Sequence, residues 1–345
     1  MTRPFKIESS DINRLNDIQL TQLLNELLQS EAYKFGIAQR SVEVALNIRV
    51  GDGGEDGRIS WVGGPEQTDY LPNRLTMFQN KATDMGAAAY AKEIMTAGGR
   101  DNPSVLKPKV EEVLDQEGAY IVFTTQELNT QQKNERISAV RAKLREQGKD
   151  YADNCEIRIY DAAQVAAWVN QFIPAVVSVQ NWIGNPVERG LKTFDLWSEH
   201  EELSRLPFAA VESRKDVIDT LSKKIEQPKS CFRIMGLSGL GKTRTAFQLF
   251  EENDAIRNLV VYVDAVHTPT IGGLVADWVG LGLKAIVIVD NCEYRLHESL
   301  AKEVRRENSQ VSLLTLDYNF DSVSSSTVCF KLDPMADEEL LLWLS

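Results

Sequence analysis

A chain of 345 residues is too long for one ordinary core, and its 38 Lys and Arg against 50 Asp and Glu leave a net charge of −12. Four scattered cysteines (Cys155, Cys231, Cys292, Cys329) and three histidines argue against a disulfide framework and a structural zinc site, and fit a reduced, cytoplasmic setting. The longest apolar runs, residues 285–289 and 340–344, fall far short of the ~18–20 residues of a membrane span, and the N-terminus lacks the apolar centre of a signal peptide, so no membrane partner is expected.

Taken in chain order, Leu20, Leu23, Leu24, Leu27 and Leu28 recur at helical spacing behind a candidate cap at Ser10 or Asp11. Residues 42–50 alternate like a strand. The stretch GDGGEDGRISW (51–61) then places four glycines and three acids in its first seven positions. Gly accepts positive φ and Asp caps its own backbone, so the stretch reads first as a turn. Strands follow in RISWVGG and at 74–82, then a helix in MGAAAYAKEIMTA and a buried-type strand at 119–125. A helix at 133–149 carries Lys133, Arg136, Arg141, Lys143, Arg145 and Lys149. It is the one candidate nucleic-acid patch in a chain acidic in both halves. With Glu135 and Glu146 interleaved, a solvated helix face is the favoured reading. A strand at 155–161 and a helix in AAQVAAWVNQF complete this half.

From about 173 to 206 the pattern weakens, although the Trp and Val content points to packing. A second alternation starts near Pro207. Strands in CFRIMG, LVVYVDA, KAIVIVDN, VSLLTLDY and TVCFKLD are interleaved with helices in KTRTAFQLFEE, TIGGLVADWVG and ESLAKEVRRE. Such βα alternation predicts a parallel sheet covered on both faces.

The stretch GLSGLGKT (236–243) is the phosphate-loop pattern G-x-x-x-x-G-K-T, between an apolar strand and a helix. Gly236, Ser238, Gly239 and Gly241 let backbone N–H groups curl around phosphates at a helix N-terminus. Lys242 is expected on the β- and γ-phosphates of ATP and Thr243 on Mg²⁺. The apolar run ending in Asp290 reads as the partner strand whose acid holds Mg²⁺ through water. A strand intervenes between loop and partner, which implies an extra central strand. The residue after Asp290 is Asn291 and the nearest Glu is Glu293, so slow turnover or a binding-driven switch is expected.

This half resembles the STAND NTPases, in which a Gly-Arg dipeptide opens a helix before the loop strand. Here the dipeptide is Ser213-Arg214, which maps Arg214 to the adenine side. The strand LLTLDYN falls where the family carries a sensor, with Thr315 but no following arginine. KLDPMADEELLLWL resembles the family's step into a helical lid, with Pro334 at the step. The chain then stops in an apparent helix, and the resemblance implies a longer protein, truncated here before the lid and a C-terminal sensor.

In the first half, an EF-hand reading of the glycine turn fails, because Gly54 and Gly63 stand where carboxylates are needed. A PD-(D/E)XK nuclease reading does better. Asp56 follows the first strand, and FQNKA supplies Gln79 and Lys81, which period-two alternation sets on one strand face. The acid would hold Mg²⁺ and Lys81 would orient water or stabilise the attacked phosphate. The arrangement resembles the Mrr-like branch of restriction endonucleases, G-D-G-G-x-D-G followed by Q-x-K. That resemblance maps the metal acid to Asp56, with Asp52 a weaker candidate, and implies a further acid on the first helix, Glu26 or Glu31.

The expected fold is thus α/β. A restriction-endonuclease-like αβββαβ domain spans 1–175, a linker 176–206, and a P-loop parallel-sheet NTPase domain 207–345. The combination resembles antiviral STAND NTPases of bacteria and archaea. The resemblance implies an ATP- and Mg²⁺-dependent endonuclease acting on double-stranded DNA. It would be switched on when a phage protein, recognised by a C-terminal sensor, drives assembly into a tetramer. Two alternatives stay open: a nucleotide-dependent restriction enzyme with a motor NTPase, and a scaffold whose nuclease fold is inactive.

Overall fold

The computed structural model describes residues 5–46, 55–98, 103–184, 190–199, 208, 211–251, 253–318 and 327–334. Asp52 and the glycines before Glu55 lie outside these residues, as does the stretch after Pro334. The chain divides into two compact units: Lys6–Asn170 with Val179–Asn185 form one, and the rest of the chain the other.

The first unit opens with α1 (Ser9–Ile12) and α2 (Asp17–Lys34) rather than one helix. The cap of the long helix is Asn16, not Ser10 or Asp11. Gln19 N donates to Asn16 Oδ1 at 2.9 Å and Asn16 N donates to Gln19 Oε1 at 3.0 Å, so two end groups satisfy each other. A five-stranded sheet follows, in the order β1 (Val42–Val44), β2 (Gly57–Ser60), β3 (Leu75–Lys81), β4 (Ala119–Thr124), β5 (Glu156–Tyr160). The first three strands pair antiparallel, and β3, β4 and β5 pair parallel. Helices α3 (Ala87–Glu93) and α4 (Pro108–Asp115) lead from β3 to β4, α5 (Thr130–Glu146) from β4 to β5, and α6 (Ala162–Val169) follows. Among the described α-helices of this unit, α4 was not read from the sequence, and α1 was read as the start of α2.

The two faces of this sheet differ. Met77, Tyr120 and Val122 pack with Tyr90, Val113 and Val140 of the α3–α5 layer. Phe78 and Phe123 face Trp168 of α6, which stacks on Tyr70 at 4.7 Å. α2 covers this second face. Asn80 Nδ2 donates to Thr21 Oγ1 at 3.0 Å, and a Cβ on Gly57 would lie 2.9 Å from Leu24 Cδ2. Alternation along β3 therefore sends Gln79 and Lys81 towards α3, and Phe78 and Asn80 towards α2.

The second unit holds a six-stranded sheet in the order β11 (Val328–Lys331), β7 (Cys231–Met235), β10 (Gln310–Asp317), β9 (Lys284–Asp290), β8 (Val260–Asp264), β6 (Lys192–Thr193). All pairings are parallel except β6 with β8. β10 thus sits between the strand before the glycine loop and the strand ending in Asp290, where an extra central strand was expected. Every residue of β7 is buried, as suits a parallel strand covered on both faces. Its helices are α7 (Ile173–Trp182, of which Ile173 and Val177 join this core), α8 (Phe194–Ser198), α9 (Glu212–Ser222), α10 (Lys242–Glu251), α11 (Asp254–Arg257), α12 (Ile271–Gly280) and α13 (Tyr294–Val304).

Part of the segment read as a linker is instead structural. β6 extends the sheet edge, and α8 buries Phe194 and Trp197 against Phe247, with ring centroids 5.0 and 5.1 Å apart. Its apolar aromatics demand a partner, while a two-residue strand is too short to show a period.

Candidate functional site

The glycine loop joins β7 to α10. Gly239 (φ +83°) and Gly241 (φ +80°) take left-handed backbone that other residues resist, and a Cβ at Gly236 would lie 3.0 Å from Leu332 O. Ser238 is exposed on the loop. Lys242 Nζ donates to Gly236 O at 2.8 Å and Leu237 O at 3.0 Å, folding the amine over the loop. Burial lowers its pKa, opposed by Asp290 and Asp317. Thr243 Oγ1 donates to Asp290 Oδ2 at 2.8 Å, and Tyr262 Oη donates to the same oxygen at 3.2 Å. Asn291 N donates to Asp290 Oδ1 at 2.8 Å. A hydroxyl and a carboxylate side by side at a helix N-terminus suit Mg²⁺, which takes one or two carboxylates and keeps waters, and the loop's donors suit a phosphate chain.

Arg214, expected on the adenine side, lies against the glycine loop. It is buried in α9, and its Nη1 donates to Leu240 O at 2.5 Å, bracing the loop from below. The Thr315 hydroxyl faces inward to a network absent from the sequence reading. Arg233 Nη1 donates to it at 3.2 Å, and His297 Nδ1 lies 2.8 Å away. Arg233 also pairs with Asp317, both deeply buried, and Gly236 N donates to Asp317 O at 3.1 Å. Burial, then the charges of Arg233 and Arg305, push His297 down to about 4, so it stays neutral. A charged residue inside an apolar strand run, as in CFRIM, is the signal that could have exposed this network.

In the first unit, Asp56, Gln79 and Lys81 come together. Asp56 precedes β2, and Asn80 N donates to its Oδ2 at 2.6 Å. Gln79, 2 % exposed, accepts from Tyr120 Oη and donates through Nε2 to Glu93 Oε2 at 2.8 Å. Lys81 Nζ pairs with the same Glu93 oxygen at 2.9 Å. Burial raises the Tyr120 phenol well above its usual range, and the charges of Glu93 and Asp56 raise it further. The cluster is an acid, an amide, a lysine and a second acid around one tyrosine. Mg²⁺ takes one or two carboxylates and keeps waters, and Asp56 and Glu93 could supply the carboxylates. Among the described residues no group of three or more His, Cys, Asp and Glu is arranged as a metal site.

Glu93 was not foreseen. It ends α3, twelve residues past Lys81, and only its helical offset of three from buried Tyr90 hints that it faces inward. The helix acids behave otherwise. Glu31, fully buried, accepts from Thr68 Oγ1 at 2.6 Å and Trp168 Nε1 at 3.2 Å on the opposite sheet face from Lys81. Burial raises its pKa. Glu26 belongs to the same helix, which covers that opposite face. Along the basic helix, Lys133 pairs with Asp161 (3.0 Å), Arg136 with Asp84 (3.4 Å), Lys143 with Glu146 (2.6 Å) and Arg145 with Asp153 (2.6 Å). Lys149 pairs with Glu111. These pairs neutralise five of the six basic residues from within the unit, and Arg141 Nη2 donates to Cys155 O at 3.3 Å.

Neither a family model nor a curated protein matches the chain. Solved structures similar to it include the E. coli MS115-1 HORMA:CdnC:Trip13 complex, at 11 % identity over 42 % of this chain and 67 % of that one, with a TM-score of 0.30. C. elegans PCH-2 is 12 % identical over 38 % of this chain and 45 % of that one, with a TM-score of 0.28. Rhizobiales Trip13 is 13 % identical over 42 % and 69 %, with a TM-score of 0.30. At such scores the functional reading rests on the sites themselves. No described helix is long and apolar enough to cross a membrane.

Proposed function

We propose that the second unit binds ATP-Mg²⁺ and that the first unit is a Mg²⁺-dependent DNA endonuclease, the nucleotide acting as a switch for cleavage. The single observation that carries the proposal is the contact between Thr243 and Asp290, a loop hydroxyl meeting a strand-end carboxylate across β10. A glycine loop, a lysine over it and this oxygen pair are what a nucleotide triphosphate with its cation requires. Bound ATP-Mg²⁺ would meet Lys242 and the loop N–H groups at its phosphates, and Thr243 and Asp290 at its cation. In the first unit, Asp56 and Glu93 would hold the cation that polarises a phosphodiester, and Lys81 would position the attacking water.

The antiviral setting, double-stranded DNA as substrate, assembly into a tetramer and a phage protein as trigger all come from the resemblance, and belong to the same proposal. The acidic balance of the chain agrees with it, because a single copy holds DNA weakly and an assembly gathers several sites. One observation favours a binding-only first unit: Glu93 neutralises Lys81. Plasmid cleavage by the protein with Mg²⁺ and ATP, with and without phage lysate proteins, tests both readings. Cleavage abolished by Lys81→Ala and by Lys242→Ala supports a switched nuclease. Plasmid left uncut by wild type under every condition while ATP still binds overturns it in favour of the scaffold.

A further inference from the structure

If the second unit turns ATP over, it needs a base for the attacking water, and the position after Asp290 is Asn291. The C-terminal rim of the parallel sheet offers four other described acids. Asp317 is buried and paired with Arg233. Asp333 pairs with Lys331 at 3.1 Å. Glu293 is exposed at the start of α13. The fourth is Asp264, the last residue of β8, in direct register with Asp290 on β9.

Two features place Asp264 at the loop end of the sheet. Tyr262, two residues earlier and therefore on the same strand face, reaches the very Asp290 oxygen that Thr243 holds. Asp264 is the next side chain on that face, one step closer to the strand ends where the loop lies. Its carboxylate is also held in place. Oδ1 accepts from Val266 N at 2.9 Å, and Oδ2 lies 3.3 Å from His267 Nδ1. The Asp264 side chain is 26 % exposed and that of His267 74 %, so the acid opens to water and the imidazole to bulk solvent.

We infer that Asp264 is the catalytic base of ATP hydrolysis in this unit, supplied by the neighbouring strand in place of an acid after Asp290. This rests on the proposed ATP site. The Asp264 carboxylate takes one proton from water as the oxygen's bond to the γ-phosphorus forms. The bond from that phosphorus to the β,γ-bridging oxygen breaks, its electron pair leaving with ADP, and phosphate is released. His267 offers the route by which the proton reaches solvent.

The test uses the full chain, with binding and turnover measured separately. Fluorescent ATP titration gives affinity, and chromatography of the nucleotide recovered from the protein shows whether it was cleaved. Asp264→Asn is expected to bind ATP within about threefold of wild type, to hydrolyse it at least ~100-fold more slowly, and to be recovered carrying ATP rather than ADP. Glu293→Gln is expected to match wild type in both. Wild-type turnover by Asp264→Asn, or lost turnover in Glu293→Gln, overturns the assignment while leaving the ATP site standing. So does a wild-type protein that binds ATP and never cleaves it. A wild-type protein that binds no ATP overturns the ATP site and this assignment together.

Discussion

The two candidate sites hold their lysines in opposite ways. Lys242 rests on two backbone carbonyls of its own loop, which a phosphate displaces without breaking an ion pair. Lys81 is gripped by the Glu93 carboxylate, which also takes the Gln79 amide. The first site is poised to accept an anion as it stands. The second must first loosen a charge pair, and a cation bound to Glu93 is what would loosen it. A switch in which nucleotide binding comes easily and cleavage comes late is consistent with that difference.

The comparison breaks most decisively at the lysines themselves. Lys242→Ala should abolish ATP binding and with it cleavage, whereas Lys81→Ala should abolish cleavage and leave ATP binding intact, each effect being ~10²–10³-fold or more. Titration and plasmid assays on both variants check this. Glu93→Gln sharpens it: cleavage should fall ~100-fold while Glu31→Gln cleaves as wild type, and the reverse ranking would return the metal acid to α2. The next largest effect belongs to the second unit. Arg233→Met leaves Asp317 buried without its partner and should destabilise the unit by ~3–5 kcal/mol in urea unfolding. His297 follows. Its folded pKa of about 4 lies below the ordinary 6.5, so between those pH values the unfolded chain binds a proton that the folded chain refuses. Stability therefore falls as pH drops through that window, by up to ~3 kcal/mol at ~1.4 kcal/mol per unit. His297→Asn should flatten the slope in unfolding measured at pH 7 and pH 4.5. Smallest is the α5 cap. Gln132 N donates to Asn129 Oδ1 at 2.9 Å, so Asn129→Ala should cost ~1 kcal/mol in thermal melts and leave cleavage unchanged.

What could be read from residues alone follows the same division. Lys242 and Thr243 are fixed by contiguous backbone, so a spacing pattern located them. Asp290 ends a long apolar run, and parallel register carries it to Thr243. Gln79 and Lys81 share one strand, and period two was enough to pair them. Glu93 comes from a separate helix, and no local pattern points at a tertiary partner. Glu31 did carry a signal: it extends the stripe of Leu24, Leu27 and Leu28 at helical spacing, and so belongs to the core rather than to the Lys81 face. Arg233 and Asp317 each sit in an otherwise apolar strand run, and only the adjacency of β7 and β10 makes them a pair.

The aromatic contact of α8 has an optical consequence. Trp197 stacks on Tyr262 at 4.5 Å, nearly parallel, and the Tyr262 hydroxyl sits on the Asp290 oxygen that Thr243 shares. An indole is thereby wired, through one phenol ring, to the oxygen where a cation would bind. Its emission should change on loading with ATP-Mg²⁺, and Trp197→Phe should silence that change, giving the protein a built-in fluorescent gauge of its own nucleotide state.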